Sequence, residues 1–160
     1  MVFLHKQIIR CRGKHDEDMK TLSNCCKLYI IRGIPGSGKS TLAQSMVSRG
    51  IVDAYYEADM YFMQGGKYMF DPSKLSAAHG WCQSKVFEGL KAGKSIAVSN
   101  TFTTRKEMFP YVNFCRRNGI RFDVVRLETR FQSIHDVPQA AIDRMLSRFE
   151  DWNGETKIVG

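Results

Sequence analysis

The sequence predicts an α/β fold: a doubly wound, three-layer sandwich whose mostly parallel sheet lies between two layers of helices. Two observations predict it. Short apolar runs alternate along the chain with segments that have apolar residues at helical spacing. The first apolar run leads directly into a glycine-rich loop, which is typical of a strand buried on both faces. In such sheets ligands bind at the carboxyl ends of the strands.

The elements are predicted in order from Lys27 onward. Short runs rich in β-branched and aromatic residues predict strands at residues 28–31, 54–58, 95–99 and 122–127. Apolar spacing, capping residues and terminal glycines predict helices at residues 40–49 and 71–93, and from residues 104 and 138 onward. The helix from residue 104 either bends or ends at Pro110, or continues to Asn118. The tail, residues 155–160, either adds an edge strand or frays.

The chain of 160 residues is long enough for one domain. We expect an accessory or poorly ordered arm at residues 1–26, the domain at residues 27–152 and a tail at residues 153–160. No apolar run approaches the ~18–20 residues of a membrane span, and the first residues lack the apolar region of a signal peptide. These observations exclude an integral membrane protein and predict a cytoplasmic one. Five cysteines without a C-x-x-C pair indicate neither a disulfide framework nor a zinc site.

The net charge is +8, from 24 Lys and Arg against 16 Asp and Glu. The excess is densest at residues 105–130, which carry seven basic and three acidic side chains. A basic segment favours a polyanionic partner such as nucleic acid. A solvated helix face followed by a strand end explains it equally well.

One motif points directly to chemistry. Residues 33–40 read GIPGSGKS, which matches G-x-x-x-x-G-K-[ST] between a predicted strand and a predicted helix. Its glycines allow backbone N–H groups to converge on phosphate oxygens, Lys39 reaches the β- and γ-phosphates, and the Ser40 hydroxyl contacts Mg²⁺. The motif predicts ATP and Mg²⁺ as ligands, with an ATP-binding set of Gly33, Pro35, Gly36, Ser37, Gly38, Lys39, Ser40 and Thr41. Whether the γ-phosphoryl group goes to water or to an acceptor stays open.

Asp59 ends the second predicted strand and therefore lies at the same sheet edge as the loop. A carboxylate there can accept the proton of an attacking hydroxyl, or it can cap a turn. The aromatic residues around it can stack on bases or pack in the core: Tyr55, Tyr56, Tyr61, Phe62 and Tyr68.

Five motifs in fixed order extend this pattern: GIPGSGKST, EADMYF, KYMFDPSKLSAAHGWCQ, SNTFTTRKEMFPY, and IHDVP followed by RMLSRFE. Over residues 27–152 they resemble the polynucleotide-kinase-like branch of the P-loop kinases, a branch with phage and eukaryotic members, some known only as AAA-family ATPases. The resemblance implies a P-loop kinase fold with a small lid. It also implies transfer of the γ-phosphate of ATP to a 5′-hydroxyl of DNA or RNA, in the cytoplasm or, for a phage protein, the host cytoplasm.

The resemblance also implies site residues. Lys39, Asp59 and Arg130 fall on catalytic positions, with Asp59 as the general base. Arg130 lies in the lid, residues 129–137, where an arginine neutralises the transferred phosphoryl group. Contacts of the lid or substrate are expected from Asn100, Thr101, His135 and Arg144. Arg144 and Arg148 can replace Arg130 or lie on a solvated helix face, and His135 can be structural.

The sequence departs from the family pattern in two places. The third predicted strand normally ends with an acid, whereas this chain has Ser99-Asn100. The lid normally carries an arginine where this chain has Phe131 and Gln132. Two alternatives therefore stay open beside a polynucleotide kinase: a small-molecule kinase of the same fold, and an ATP-binding interaction module with little turnover. The oligomeric state is not predicted.

Overall fold

The computed structural model describes residues 26–128 and 137–159. Its strands are β1 (Lys27–Gly33), β2 (Ala54–Tyr56), β3 (Met63–Gln64), β4 (Lys67–Tyr68), β5 (Ile96–Asn100), β6 (Arg121–Leu127) and β7 (Thr156–Ile158). Its helices are α1 (Lys39–Ser48), α2 (Leu75–Lys91), α3 (Arg105–Asn118) and α4 (Gln139–Arg148), with 3-10 turns at Ala58–Phe62 and Pro72–Lys74. The predicted arm lies outside the described residues except for Cys26, which is buried.

The main sheet has the strand order β2-β5-β1-β6-β7, and every neighbouring pair in it is parallel. β1 lies at the centre, between β5 and β6, and both neighbours come later in the chain than β2. This order makes the carboxyl end of β1 the switch point at which ligands bind in such sheets. The tail adds β7 as an edge strand beside Val125–Leu127.

Helices cover both faces of the sheet. Leu28 and Ile30 of β1 belong to the larger core, which they share with the buried faces of α2 and α3. Ile31 points the other way, into a smaller core with Ala43 and Met46 of α1. Because successive residues of β1 are buried on opposite faces, its residues 28–31 are continuously apolar, as predicted for a central parallel strand. The three-layer α/β sandwich is confirmed.

One element boundary differs from the prediction, and another decides between two predicted alternatives. β2 ends at Tyr56 instead of continuing to residue 58, because the chain turns into a 3-10 helix at Ala58. α3 continues through Pro110 to Asn118, with the predicted capping box of Thr104 and Glu107 at its start. Pro110 leaves only the carbonyl of exposed Lys106 without a helical donor, so the helix persists. Within the two described ranges, no helix is long and apolar enough to cross a membrane.

Candidate active site

The loop between β1 and α1 has the shape of an anion-binding nest. Gly36 and Gly38 have positive φ angles of 80° and 91°, and Gly38 is the N-cap of α1. A Cβ atom on Gly33 would lie 2.5 Å from Oγ of Ser37, so a larger residue does not fit there. Glycine is required at these positions because of the left-handed backbone and the close approach. Backbone N–H groups and the helix N-terminus therefore face one concave surface at the carboxyl end of β1.

Lys39 begins α1 and lies over this loop. Its Nζ donates a hydrogen bond to the carbonyl of Ile34 at 2.9 Å. Burial lowers the pKa of Lys39 to about 8, although the nearby carboxylates of Glu57 and Asp59 raise it in part. The neighbouring carboxylates therefore do not offset the burial of the Lys39 ammonium group, and an anion such as a phosphate group bound beside it would stabilise its charge.

Ser40 follows Lys39 and contacts a carboxylate that sequence reasoning missed. Its Oγ donates to Oε1 of Glu57 at 2.5 Å. Burial raises the pKa of Glu57, and the neighbouring charge of Asp59 adds to this effect. The hydrogen bond from Ser40, the charge of Lys39 and the hydroxyl of Ser99 offset the rise in the pKa in part. The sequence signal was the acid two residues before Asp59, at the end of the same strand.

Asp59 lies in the 3-10 turn after β2 and is exposed. Its Oδ1 accepts a hydrogen bond from the hydroxyl of Tyr68 at 3.3 Å. The structure thus gives the two neighbouring acids different surroundings. Glu57 is partly buried against Ser40, whereas Asp59 faces solvent at the same edge.

The end of β5 connects the loop to the turn that carries Asp59. Oδ1 of Asn100 accepts a hydrogen bond from the backbone N–H of Ala58 at 2.9 Å. The carbonyl of Thr101 accepts one from the N–H of Gly33 at 3.2 Å. Two of the four residues predicted to contact the lid or substrate, Asn100 and Thr101, therefore lie between the phosphate-binding loop and Asp59, and both hold neighbouring backbone in place.

A cavity opens on the other side of the loop. It has a volume of about 190 Å³ and is lined by Ile34, Arg126, Leu127, Glu128, Leu146 and Phe149. The ring of Phe149 packs against two guanidinium groups, 4.4 Å from that of Arg32 and 4.5 Å from that of Arg126. Arg144 is exposed on α4. The predicted lid residues Arg130 and His135 lie outside the described residues.

The described part of the basic segment, residues 105–128, extends over both edges of the sheet. α3 connects two parallel strands and therefore runs back from the carboxyl edge of the sheet to the amino edge. Arg116 and Arg117 in its last turn lie at the amino edge, as does Arg121 at the start of β6. A seven-residue strand is roughly 20 Å long, which separates these side chains from the loop. This part of the basic segment therefore lies away from the phosphate-binding loop.

Arg126, at the carboxyl end of β6, is engaged by acids. Its NH1 atom lies 2.6 Å from Oδ1 of Asp151 and 3.3 Å from Oε1 of Glu155. Its NE atom lies 3.5 Å from Glu128. The guanidinium group therefore fixes the tail to the sheet instead of offering an uncompensated charge to a substrate.

Known proteins match both the sequence and the fold. The AAA_33 family model, described as an AAA domain, matches residues 28–152. Human NEDD4-binding protein 2 is 31% identical over 133 residues, which are 77% of this chain and 8% of that protein. The chain thus spans a small part of the length of this relative.

Two solved structures extend the comparison. A chain of the Pnkp1/Rnl/Hen1 RNA repair complex superposes with a TM-score of 0.64 at 18% identity, covering 87% of this chain and 46% of that one. A gluconokinase from Sinorhizobium meliloti 1021 superposes with a TM-score of 0.57 at 14% identity, covering 84% and 82%. These likenesses concern the fold, and with the sequence match they confirm the predicted resemblance to polynucleotide-kinase-like P-loop kinases.

Proposed function

Because the chain belongs to the AAA_33 family of AAA domains, we propose that it is an ATP-dependent phosphotransferase that moves the γ-phosphate to an acceptor hydroxyl. The observation that carries the proposal is the pair of carboxylates at the end of β2. Glu57 is bonded to Ser40 of the phosphate-binding loop, while Asp59 is exposed beside it. An exposed carboxylate beside the loop can take the proton of an acceptor hydroxyl, which supports transfer to an acceptor.

The triphosphate would bind on the loop from Gly33 to Thr41. The backbone N–H groups and the helix N-terminus receive its oxygens, and Lys39 exchanges its bond to Ile34 for the β- and γ-phosphates. The cavity between Ile34 and Phe149 offers room for the nucleoside next to the loop. Arg130, in the proposed lid, would neutralise charge on the transferred group.

The residues present fit Mg²⁺. Ser40 and Glu57 offer hard oxygen donors on one side of the loop. Mg²⁺ in kinases is typically bound by one or two protein oxygens together with substrate phosphates and water. Among the described residues, no group of three or more His, Cys, Asp or Glu side chains could hold a metal ion. When bound, Mg²⁺ neutralises phosphate charge and orients the γ-phosphoryl group.

Asp59 would act on the acceptor. It is an exposed acid beside the loop at this edge, so it can receive the hydroxyl proton as that oxygen attacks phosphorus. Glu57 is unsuited to this role because its carboxylate is partly buried and occupied by Ser40. The rest of the catalysis is positioning and charge stabilisation.

The acceptor that we propose is a 5′-hydroxyl end of DNA or RNA. Its support is the ordered set of motifs at residues 33–41, 57–62, 67–83, 99–111 and 134–150. The likeness to a chain of an RNA repair complex supports it as well. A small-molecule hydroxyl is the second candidate, because a gluconokinase shares the fold over most of both chains.

An acceptor screen tests the proposal. The full chain is incubated with ATP labelled at the γ-phosphate, Mg²⁺, and panels of 5′-hydroxyl oligonucleotides, nucleosides and sugars. We expect labelled oligonucleotide, with 5′-phosphorylated oligonucleotides as inert controls. Label on sugars alone would assign a small-molecule kinase.

The absence of an acid at Ser99 favours one further candidate, an ATP-binding interaction module with little turnover. Such a protein would use ATP to order a surface for a partner. Tight ATP binding without labelled product from any acceptor class would support it. Phosphate release that oligonucleotides stimulate, with label transfer, would rule it out.

A further inference from the structure

We propose that the β3–β4 hairpin is a stacking platform that binds the terminal base of the acceptor nucleic acid. The platform consists of the rings of Tyr68 and Phe70. This inference rests on the proposed function and goes beyond it, because it assigns a base-binding surface and names the residues that distinguish a nucleic acid from a sugar.

The two rings are exposed although they are apolar. Tyr68 and Phe70 have 53% and 50% of their surface accessible. The ring planes are nearly parallel, 11° apart, with 6.4 Å between the centroids. Met63, which is paired with Tyr68 across the hairpin, extends the exposed apolar surface beside them, at 53% exposure. A contiguous exposed apolar patch of this kind marks a binding surface.

The platform is held in place from below. Phe62 is 2% exposed and makes edge contacts with both rings, at centroid distances of 6.3 Å to Tyr68 and 5.2 Å to Phe70. The backbone N–H of Met69 donates to the carbonyl of Phe62 at 2.8 Å. Gly65 and Gly66, both with positive φ, close the hairpin. The exposed ring faces therefore belong to an anchored element.

The platform is continuous with the proposed acceptor site. The hydroxyl of Tyr68 donates to Oδ1 of Asp59 at 3.3 Å, so one edge of the platform contacts the carboxylate that would take the acceptor proton. A molecule whose hydroxyl lies at Asp59 is therefore within reach of the Tyr68 ring. Lys67, exposed in the same hairpin, adds a positive charge for a phosphate backbone.

A nucleobase suits this surface better than the other occupants. Every base has a flat π-face, and base–aromatic stacking on protein surfaces is strong and tolerant of sequence. A sugar offers no π-face. A second protein chain would have to cover the apolar hairpin without blocking Asp59, which Tyr68 contacts directly.

The test is a binding cycle measured without ATP. Fluorescent 5′-hydroxyl oligonucleotides of about 4 to 16 nucleotides, the usual range of single-strand sites, are titrated with the full chain. Each is compared with the same oligonucleotide whose 5′-terminal nucleotide is abasic. The variants are Phe70→Ala, Phe70→Leu, which keeps apolar volume without a ring, and Phe70→Tyr, which keeps a ring. Met69→Ala is the control that removes exposed apolar surface from the same hairpin.

We expect Phe70→Ala and Phe70→Leu to weaken binding of the intact oligonucleotide by roughly 5- to 150-fold, the range for loss of one stacked base. Phe70→Tyr and Met69→Ala should bind it like the wild type. The abasic oligonucleotide should bind wild type and Phe70→Ala equally. Equal losses with intact and abasic ends, equal losses in Phe70→Ala and Met69→Ala, or no loss at all would each overturn the platform. Melting curves of all variants establish that they are folded.

Label-transfer assays separate this inference from the proposed function. If oligonucleotides with and without the terminal base are phosphorylated equally efficiently, the proposed kinase activity stands and the stacking platform is ruled out. Loss of binding in Phe70→Ala that depends on the terminal base, without transfer to any acceptor, retains the platform and removes the kinase.

Discussion

Oγ of Ser40 donates a hydrogen bond to Oε1 of Glu57 at 2.5 Å, and this contact joins the first turn of α1 to the end of β2. Tyr56 is paired with Val98 of β5, so Glu57 comes next to Ser99 at the edge of the sheet. The family pattern has an acid at the end of this strand, where this chain has Ser99-Asn100. In our account, Glu57 provides from the neighbouring strand the carboxylate that β5 lacks.

Glu57→Gln should weaken the Mg²⁺ dependence of ATP binding. The amide keeps the size of the side chain but removes the charge that would support a cation beside Ser40, so we expect a loss of Mg²⁺ affinity of roughly 10- to 100-fold. ATP binding without Mg²⁺ should be unchanged. Calorimetric titrations of Mg²⁺ into the ATP-saturated protein measure this, with the exposed α2 residue changed by Glu88→Gln as the control. Equal Mg²⁺ affinities for the two variants would place Glu57 outside the metal site.

Lys39 should make the stability of the nucleotide-free protein depend on pH in the alkaline range. Its pKa is lowered from 10.5 to about 8 by burial, so above about pH 8 the folded state releases a proton that the unfolded chain still holds. The free energy of unfolding should therefore rise from about pH 8 to about pH 10, relative to Lys39→Met. Denaturant midpoints of both proteins across this range measure the difference. Parallel profiles for the two proteins would show that burial does not shift the pKa of Lys39.

Glu155→Gln should destabilise the fold strongly. Its carboxylate lies 2.8 Å from NH1 of Arg32, and the two side chains are 3% and 0% exposed. Removing one partner leaves the other charge buried, which costs about 3–5 kcal/mol of unfolding free energy. Glu128→Gln, which removes a more exposed partner of Arg126, should cost less than about 1 kcal/mol. Urea unfolding compares the two, and similar small losses would contradict a buried ion pair.

The double variant Arg116→Gln/Arg117→Gln should leave the KM for a 5′-hydroxyl oligonucleotide within about twofold of the wild type. These side chains lie roughly 20 Å from the loop along β6, beyond the Debye length of about 8 Å at physiological salt. KM is measured at physiological salt for both proteins. A KM that is tenfold or more above that of the wild type would show that Arg116 and Arg117 contribute to binding of the acceptor.

The sequence predicts well what is local. The loop of residues 33–40 is read from adjacent residues, and its glycines, Lys39 and the following helix lie where the pattern indicates. The capping box at Thr104 and Glu107 is local in the same sense and is present. β1 is recognisable as a buried central strand because its burial on both faces appears directly as a continuous apolar run.

Contacts between distant segments could not be predicted in this way. Arg32 and Glu155 are 123 residues apart, and no pattern in either segment indicates that they meet. The pairing of Glu57 with Ser40 depends on how β2 lies beside α1. The basic side chains of the segment lie at two edges of the sheet because α3 runs from one edge to the other. This direction is known only when the order of the strands is known.

The role of Asp59 as the general base is tested by measuring the transfer of label from ATP to a 5′-hydroxyl oligonucleotide by the wild type and by Asp59→Asn. ATP affinity is measured in parallel, because the variant keeps the loop, Lys39 and Glu57. We expect Asp59→Asn to bind ATP like the wild type and to transfer phosphate roughly 10²- to 10⁴-fold more slowly. Undiminished transfer by Asp59→Asn would contradict it.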